Sequence, residues 1–428
     1  MKNKVLIITY YWPPSGGAGV QRWLKFAKYL PEFGWEPVVL TVDPEYAAYP
    51  VTDNSLNNEV PDSVKVYKTL ATNYFSIYKK DKSRIPSAGF ATNIDNSLKG
   101  KLLRFIRGNF FIPDPRKGWN NHAFKKACDL IKSEGIRHII TTSPPHSTQL
   151  IGLKLKRKYP QINWIADLRD PWTDIYYYNQ FYPTVLSKSI DLQLERTVLK
   201  NADRLITVGD SLKKMFEAKV KGIGEKVEVI TNGFDESDFN TFPPIRNDKY
   251  TITYVGTLSD NYPVEGLIPG LNNLTNSGID FNLRFVGTVS EKTKNLLKSQ
   301  IHSKYLEFLP YAAHSEAIKF MYESSLLLLI IPLHLSNKSI ITGKLFEYLA
   351  SEKPVLCLGP ADGDAAEIIR NCHAGQTFGY YSSDDISDYL INIRSEEHKS
   401  DKAAIASYSR INLVRRIVEV LESKEKTV

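Results

Sequence analysis

The stretch KVLIITYYWPPSGGAGVQRWLKFAKYL, residues 4–30, decides how the rest of the chain is read. Residues 4–9 are β-branched or apolar almost without interruption and read as a buried strand, and residues 19–29 read as a helix. Gly16, Gly17 and Gly19 lie between them. Glycines there let backbone amides approach a ligand closely, and a helix start favours an anion or an oxygen-rich group. A tight strand-to-helix turn would use the same glycines. The spacing is not GxGxxG, and the acidic residue that a dinucleotide site needs about 20 positions on is ambiguous. Two lysines at the start mimic a signal peptide, but the apolar stretch is only about eight residues with no small-residue cleavage site, so it reads as a first strand.

Outward from this unit the pattern repeats. Strands are expected at 37–41, 138–142, 163–167, 204–208 and 227–231, with helices at 123–133, 147–159, 187–199 and 211–217. After NGFD (232–235) the chain turns polar and carries Pro243–Pro244, so a boundary falls near residue 245. A second unit follows, with strands at 251–255, 282–286, 306–308, 326–331, 355–358 and 375–378 and helices at 264–272, 291–300, 314–322, 343–350 and 365–372. Residues 409–423 place Leu413, Ile417, Val420 and Leu421 at helical spacing. The expected fold class is α/β, with two doubly wound, Rossmann-like domains: 1–240, 241–405, and a terminal helix within 406–428. The two domains are expected to face each other across a cleft, and ligands of such sheets bind beyond the carboxyl ends of the strands.

Composition limits the options. The 428 residues, 42% hydrophobic and 24% charged, with mean hydropathy −0.28, match a globular chain rather than a disordered or polytopic one. The apolar run 326–332 is far short of the roughly 20 residues of a membrane span. Cys128, Cys357 and Cys372 form no CxxC pair, which argues against a disulfide framework or a Cys-rich zinc site and for a reducing, cytoplasmic setting. The net charge of +8 is uneven: 35 basic and 25 acidic side chains up to residue 240, then 20 and 22. Residues 79–119 hold ten basic side chains, three acidic ones, and Phe90, Phe105, Phe110, Phe111 and Trp119. Such a segment is either a solvated loop whose aromatics tuck back into the core or a contact with an anionic surface. No recognisable nucleic-acid motif accompanies it, so no nucleic-acid partner is expected.

Four constellations could carry chemistry. ADLRDPW (166–172) sets Asp167, Arg169 and Asp170 at a strand end, able to bind hydroxyls or carry protons, or merely to pair with one another. TTSPPHS (141–147) sets His146 just after a strand. SNKSIITGKLFEYLASEKPVL (336–356) places Ser339, Thr342 and Gly343 before a helix bearing Lys344 and Glu347. Free amides plus a lysine suit a phosphate, and Glu347, one turn in, suits two adjacent sugar hydroxyls; an ordinary capped helix is the alternative. Asp362-Gly363-Asp364 spells DxD but reads as a turn, so no metal is expected.

Eight segments in order resemble the GT-B glycosyltransferases, in particular the retaining family 4, also called group 1: GGAG (16–19), ADRLITVGDSLKKMF (202–216), ITNGFD (230–235), YVGTL (254–258), RFVG (284–287), FLPY (308–311), KLFEYLASEKPVL (344–356) and the final helix. ADLRDPW and SPPHS look like versions found in bacterial surface-polysaccharide members. The resemblance implies a nucleotide-sugar, UDP- or GDP-linked, on the second domain, an acceptor on the first, and a last helix that crosses back to the first. It places Glu347 on the ribose, Leu309 and Tyr311 along the base, the backbone of Ile341–Gly343 on the diphosphate, Gly16 and Gly17 near the donor phosphate or acceptor, and Arg169 and Asp170 near the reacting sugar. Gly256 and Thr257 stand in the loop after the first strand of the second domain. Two departures stand out: the first glutamate of the EX7E motif is replaced by Ser339, and Thr257 and Glu265 stand where family members often carry an arginine and a lysine. Lys344 is then the candidate for the diphosphate charge.

The expected function is transfer of a sugar to a lipid-linked or saccharide acceptor, without metal or cofactor and with retained configuration. A peripheral contact with the inner, anionic face of the membrane is expected for residues 79–119. The alternatives are a nucleotide-sugar epimerase of the same fold and a weakened nucleotide-sugar-binding subunit.

Overall fold

The structure, a computed structural model, describes residues 3–72, 74, 97–239, 249–395 and 397–423. Seven strands form the first sheet: β1 (Asn3–Ile8), β2 (Trp35–Val42), β3 (Lys65–Thr69), β4 (His138–Ser143), β5 (Asn163–Leu168), β6 (Arg204–Thr207) and β7 (Val227–Val229). Their order is β3-β2-β1-β4-β5-β6-β7, every pairing is parallel, and Ile7 lies opposite Val39 on one side and Ile140 on the other. Parallel pairing needs helical crossovers on both faces, which is why β1, β2 and β4 are buried on both faces with no alternation. The order reverses between β1 and β4, the point beyond whose strand ends such sheets bind ligands.

The second sheet contains β8 (Tyr250–Val255), β9 (Phe281–Val286), β10 (Leu306–Leu309), β11 (Leu326–Ile330), β12 (Val355–Leu358) and β13 (Gly375–Phe378), in the order β10-β9-β8-β11-β12-β13. It is also wholly parallel, and its reversal lies between β8 and β11. Both expected doubly wound, Rossmann-like units are therefore present.

The chain divides into two compact units, Met1–Thr231 with Leu413–Val428, and Asn232–Asn412. The domain boundary expected at 240/241 lies outside the described residues. In the second unit Phe234 donates its N–H to Tyr408 O at 3.2 Å, and Arg410 donates to Phe234 O at 2.8 Å, so the chain enters and leaves this unit side by side. The helix Arg410–Glu422 then buries Leu413, Val414, Ile417 and Leu421 in the core of the first unit. Asn163 Nδ2 donates to Leu421 O at 3.3 Å. The last helix thus crosses back as expected.

Several details differ from expectation. The strand expected over 227–231 stops at Val229, and the next two carbonyls, of Ile230 and Thr231, accept from Arg22 at 2.8 and 2.6 Å. The helix expected over 264–272 runs Leu267–Asn276, because Val264 and Glu265 after Pro263 form a turn. The described part of the basic, aromatic segment is a helix and a turn rather than a loop, and Trp119 tucks into the core as one alternative expected. The segment's residues 79–96 lie outside the described residues, and 97–119 form a helix, Leu98–Phe110, followed by a turn in which Arg116 and Trp119 are buried. Arg116 donates to Ala48 O at 3.3 Å and Trp119 Nε1 to Thr69 Oγ1 at 2.8 Å. Among the described residues no helix is long and apolar enough to cross a membrane.

Candidate functional site

In the second unit, β8 and β9 end in Gly256 and Gly287, at φ of 113° and 122°. Gly256 N–H donates to Val286 O at 2.8 Å, and a Cβ added to Gly287 would lie 2.5 Å from the Gly256 carbonyl. Only glycine meets both the backbone angle and the approach of the two loops. The helix Gly343–Ala350 starts beside them, with Thr342 as an extended N-cap residue. The Lys344 ammonium lies 3.9 Å from the centroid of the Tyr254 ring and within reach of the Gly256 Cα, where an added Cβ would stand 2.9 Å away. Burial lowers its pKa to about 7, opposed by Glu347. Among the described residues no carboxylate comes within ion-pair distance of it. A cation withdrawn from water and left unneutralised is poised to accept an anion. The Thr342 hydroxyl is buried beside it with no protein partner among the described residues. Glu347, half-buried, has one oxygen 3.1 Å from His314 Nε2. A separate cavity of about 660 Å³ is lined by Asp385 and Asp388 and by no basic side chain, which does not suit a diphosphate.

In the first unit the loops after β1, β4 and β5 converge at the point of strand reversal. Asp167, fully buried, accepts from Arg22 Nη2 at 3.1 Å, Trp23 Nε1 at 2.6 Å and Thr142 Oγ1 at 2.8 Å. It locks the helix Ala18–Tyr29 onto the sheet. Arg169 donates through Nε to Ser143 O at 2.9 Å and through Nη1 to Gly19 O at 2.7 Å, tying the glycine loop to the end of β4. Asp170 has no hydrogen-bond partner among the described residues. Burial raises its pKa, Arg169 opposes, and Asp167 adds to the rise. His146 stacks on Trp172 at 5.0 Å with a buried, unpartnered Nδ1. Burial, then Lys219, Arg169 and Arg107, lower its pKa to about 3, so it is neutral at physiological pH. Trp172 Nε1 and Tyr178 OH donate to Asp191 at 2.7 and 2.9 Å and hold the loop that carries them.

The structure brings together Gly256, Lys344 and Glu347, and separately Gly19, Arg169, Asp170 and His146. Other expected residues stand apart. The Ser339 hydroxyl donates to Ser336 O at 3.1 Å, Tyr311 is 83% exposed, and Gly16 N–H is engaged by Val51 O at 2.9 Å. Gly17, Thr257 and Gly343 are exposed, and Leu309 is half-buried with its carbonyl accepting from Gly287 N–H at 3.0 Å. In the DxD stretch Asp362 is ion-paired with Lys338, and Asp364 is buried at the start of the helix Asp364–Asn371. Among the described residues no cluster of three or more His, Cys, Asp or Glu is placed to hold a metal. The sequence reading missed Tyr254 and His314 in the second unit, and Tyr11, Tyr177 and Arg107 in the first. Tyr254 lies within the quoted YVGTL and Arg107 within the basic segment 79–119, though neither was read as a site residue, and the aromatic run Tyr10-Tyr11-Trp12 directly after β1 is the signal that could have found Tyr11.

No protein-family model and no curated protein matches the chain in sequence. Solved structures do match along its length. A glycosyltransferase from Rickettsia africae aligns at TM-score 0.64 and 15% identity, covering 100% of both chains. The Anabaena protein HepE in complex with UDP aligns at TM-score 0.60 and 14% identity over 98% of this chain and 100% of that one. The chain has the GT-B fold. A Listeria monocytogenes protein described as a UDP-N-acetylglucosamine 2-epimerase aligns at TM-score 0.57 and 12% identity, over 100% and 98% of the two chains. GT-B architecture therefore accommodates more than one chemistry, and function has to be argued from the sites.

Proposed function

We propose that the protein transfers a glycosyl group from a nucleoside-diphosphate sugar to an acceptor hydroxyl, with the donor on the second unit and the acceptor on the first. The observation that carries this reading is the Lys344 ammonium, drawn out of water against Tyr254 and Gly256 without a neutralising carboxylate. A leaving diphosphate supplies the opposite charge at the moment it develops, which is where electrostatic stabilisation lowers a barrier most. The first amides of the helix Gly343–Ala350 and the Thr342 hydroxyl add donors. Glu347, one turn along, accepts from the ribose hydroxyls. The HepE complex with UDP supports this class of donor.

Asp170, uncommitted and with a raised pKa, takes the proton of the acceptor hydroxyl. Arg169, held by two backbone carbonyls, acts as a positioning residue for the glycine loop. Gly17 and the loop around it face the acceptor or donor phosphate. Charge on the leaving group is met by Lys344 and the helix start, so turnover does not require a divalent cation; a chelator leaves it unchanged. The anomeric configuration is retained, as the family resemblance implies, and NMR of the first-formed product checks this. The helix Leu98–Phe110 exposes Leu98, Leu102 and Phe110 among Lys99, Lys101 and Arg104, a face suited to the headgroup region of an anionic membrane.

The test is product formation from labelled UDP- and GDP-hexoses with a total lipid extract or with free sugar phosphates. Label on an acceptor with release of free nucleotide supports transfer. An epimerised nucleotide-sugar formed without acceptor supports the epimerase instead, and no turnover with intact nucleotide binding supports the binding subunit.

A further inference from the structure

The Arg107 guanidinium is an unexplained cation in the first unit. It lies 3.5 Å over the Phe181 ring, and its helix is seated there by Gly108, packed against Phe181, and by Asn109, which donates to Tyr182 O at 3.0 Å and accepts from Thr184 N–H at 2.8 Å. No hydrogen bond or ion pair reaches the guanidinium among the described residues. The carboxylates that could neutralise it are already committed. Asp114 accepts from Ser147 N–H at 2.8 Å, Ser147 Oγ at 2.9 Å and Arg116 N–H at 2.9 Å. Asp191 accepts from Trp172 and Tyr178. Burial lowers the pKa of Arg107 to about 10, with Asp114 and Tyr177 opposing, so it remains charged at neutral pH.

Three further groups around it lack protein partners among the described residues: the Tyr11 hydroxyl, the Tyr177 hydroxyl and the buried Nδ1 of His146. Arg107 is close enough to influence the ionisation of all three. They come from the loops after β1, β4 and β5, at the strand reversal, where this fold places ligands. A buried, unpartnered imidazole nitrogen beside a part-buried arginine and two free hydroxyls, with the Tyr177 ring 6.0 Å from the Phe181 ring that Arg107 covers, describes a place for an anionic ligand.

We propose that the first unit binds a phosphate or diphosphate group of the acceptor through the Arg107 guanidinium, with Tyr11, Tyr177 and His146 completing the site. This rests on the reading of the first unit as the acceptor side. The anion belongs either to a soluble sugar phosphate or to a lipid-linked one.

Calorimetric titration of the full chain with inorganic phosphate and pyrophosphate tests it, with Lys344→Met as the background that removes the donor-side cation. Pyrophosphate still binds in that background. Adding Arg107→Gln weakens it at least tenfold, and Arg107→Lys restores part of the loss. Arg107→Gln alone binds the preferred nucleoside diphosphate like wild type, which shows that the chain is folded. Displacement by a sugar 1-phosphate identifies a soluble source, and displacement only by a polyprenyl diphosphate in micelles identifies a lipid one. Anion binding indifferent to Arg107, or absent while nucleotide binds normally, overturns the proposal. Loss of nucleotide binding in the wild type would instead strike at the donor reading and leave this anion measurement standing.

Discussion

At the scale of single residues, two cations stand in opposite settings. Arg22 is neutralised by Asp167 and its remaining donors go to Ile230 and Thr231 carbonyls, so it is structural. Removing one partner of such a pair leaves a charge uncompensated: Asp167→Asn costs about 3–5 kcal/mol in urea unfolding, and adding Arg22→Met recovers part. Lys344 has no such partner among the described residues, and on that ground it is proposed to meet the donor diphosphate. Its pKa of about 7 in the fold, against the ordinary 10.5, means that the unfolded chain binds more protons between those values. The ligand-free protein therefore gains stability as pH rises from about 7 towards 10.5, and is penalised below 7. Lys344→Met is more stable than wild type at pH 7 and loses this slope, which melting curves across pH would show. Nucleotide affinity moves the other way: the protonated amine is the binding form, so wild-type affinity falls as pH rises above neutrality while that of the variant is flat.

At the scale of elements, the two glycine-ended strands β8 and β9 and the crossover helix are the vulnerable parts. Gly287→Ala forces a Cβ onto the Gly256 carbonyl at a strained φ. It costs about 1–3 kcal/mol and weakens nucleotide binding by spreading the loops under Lys344. Leu413→Ala or Ile417→Ala in the helix Arg410–Glu422 leaves a hole in the first core and costs about 2–5 kcal/mol each, read by chemical denaturation. Elements with strong periodicity were legible in the sequence. β1, β2, β11 and β12 are largely apolar runs, and glycines mark the ends of β8, β9 and β12. β3 was not, because Lys65-Val-Tyr-Lys-Thr alternates on a sheet edge, where exposed lysines discourage further pairing. Nor was the inward role of Arg107 and Arg116: a basic side chain reads as solvent-facing unless its partners, here distant aromatic rings, are known. Of the candidate site, Lys344 and Glu347 were legible because a helix start concentrates them locally. Tyr254 and His314, brought in from other elements, were not.

At the scale of the molecule, the chain is two doubly wound units joined where it leaves the first at Thr231 and returns at Leu413. Excess positive charge sits in the first 240 residues and the second part is nearly neutral. This division matches an acceptor side that meets an anion or anionic surface and a donor side that needs one well-placed cation. The proposed donor site is the part on which transfer depends. The most direct measurement is calorimetric binding of UDP, GDP, ADP, CMP and dTDP to wild type, Lys344→Met and Glu347→Ala. One nucleotide should bind clearly better than the others, with affinity reduced at least tenfold in each variant. No binding by any of them, or binding unchanged in both variants, would contradict the assignment of the second unit as a nucleotide-sugar site.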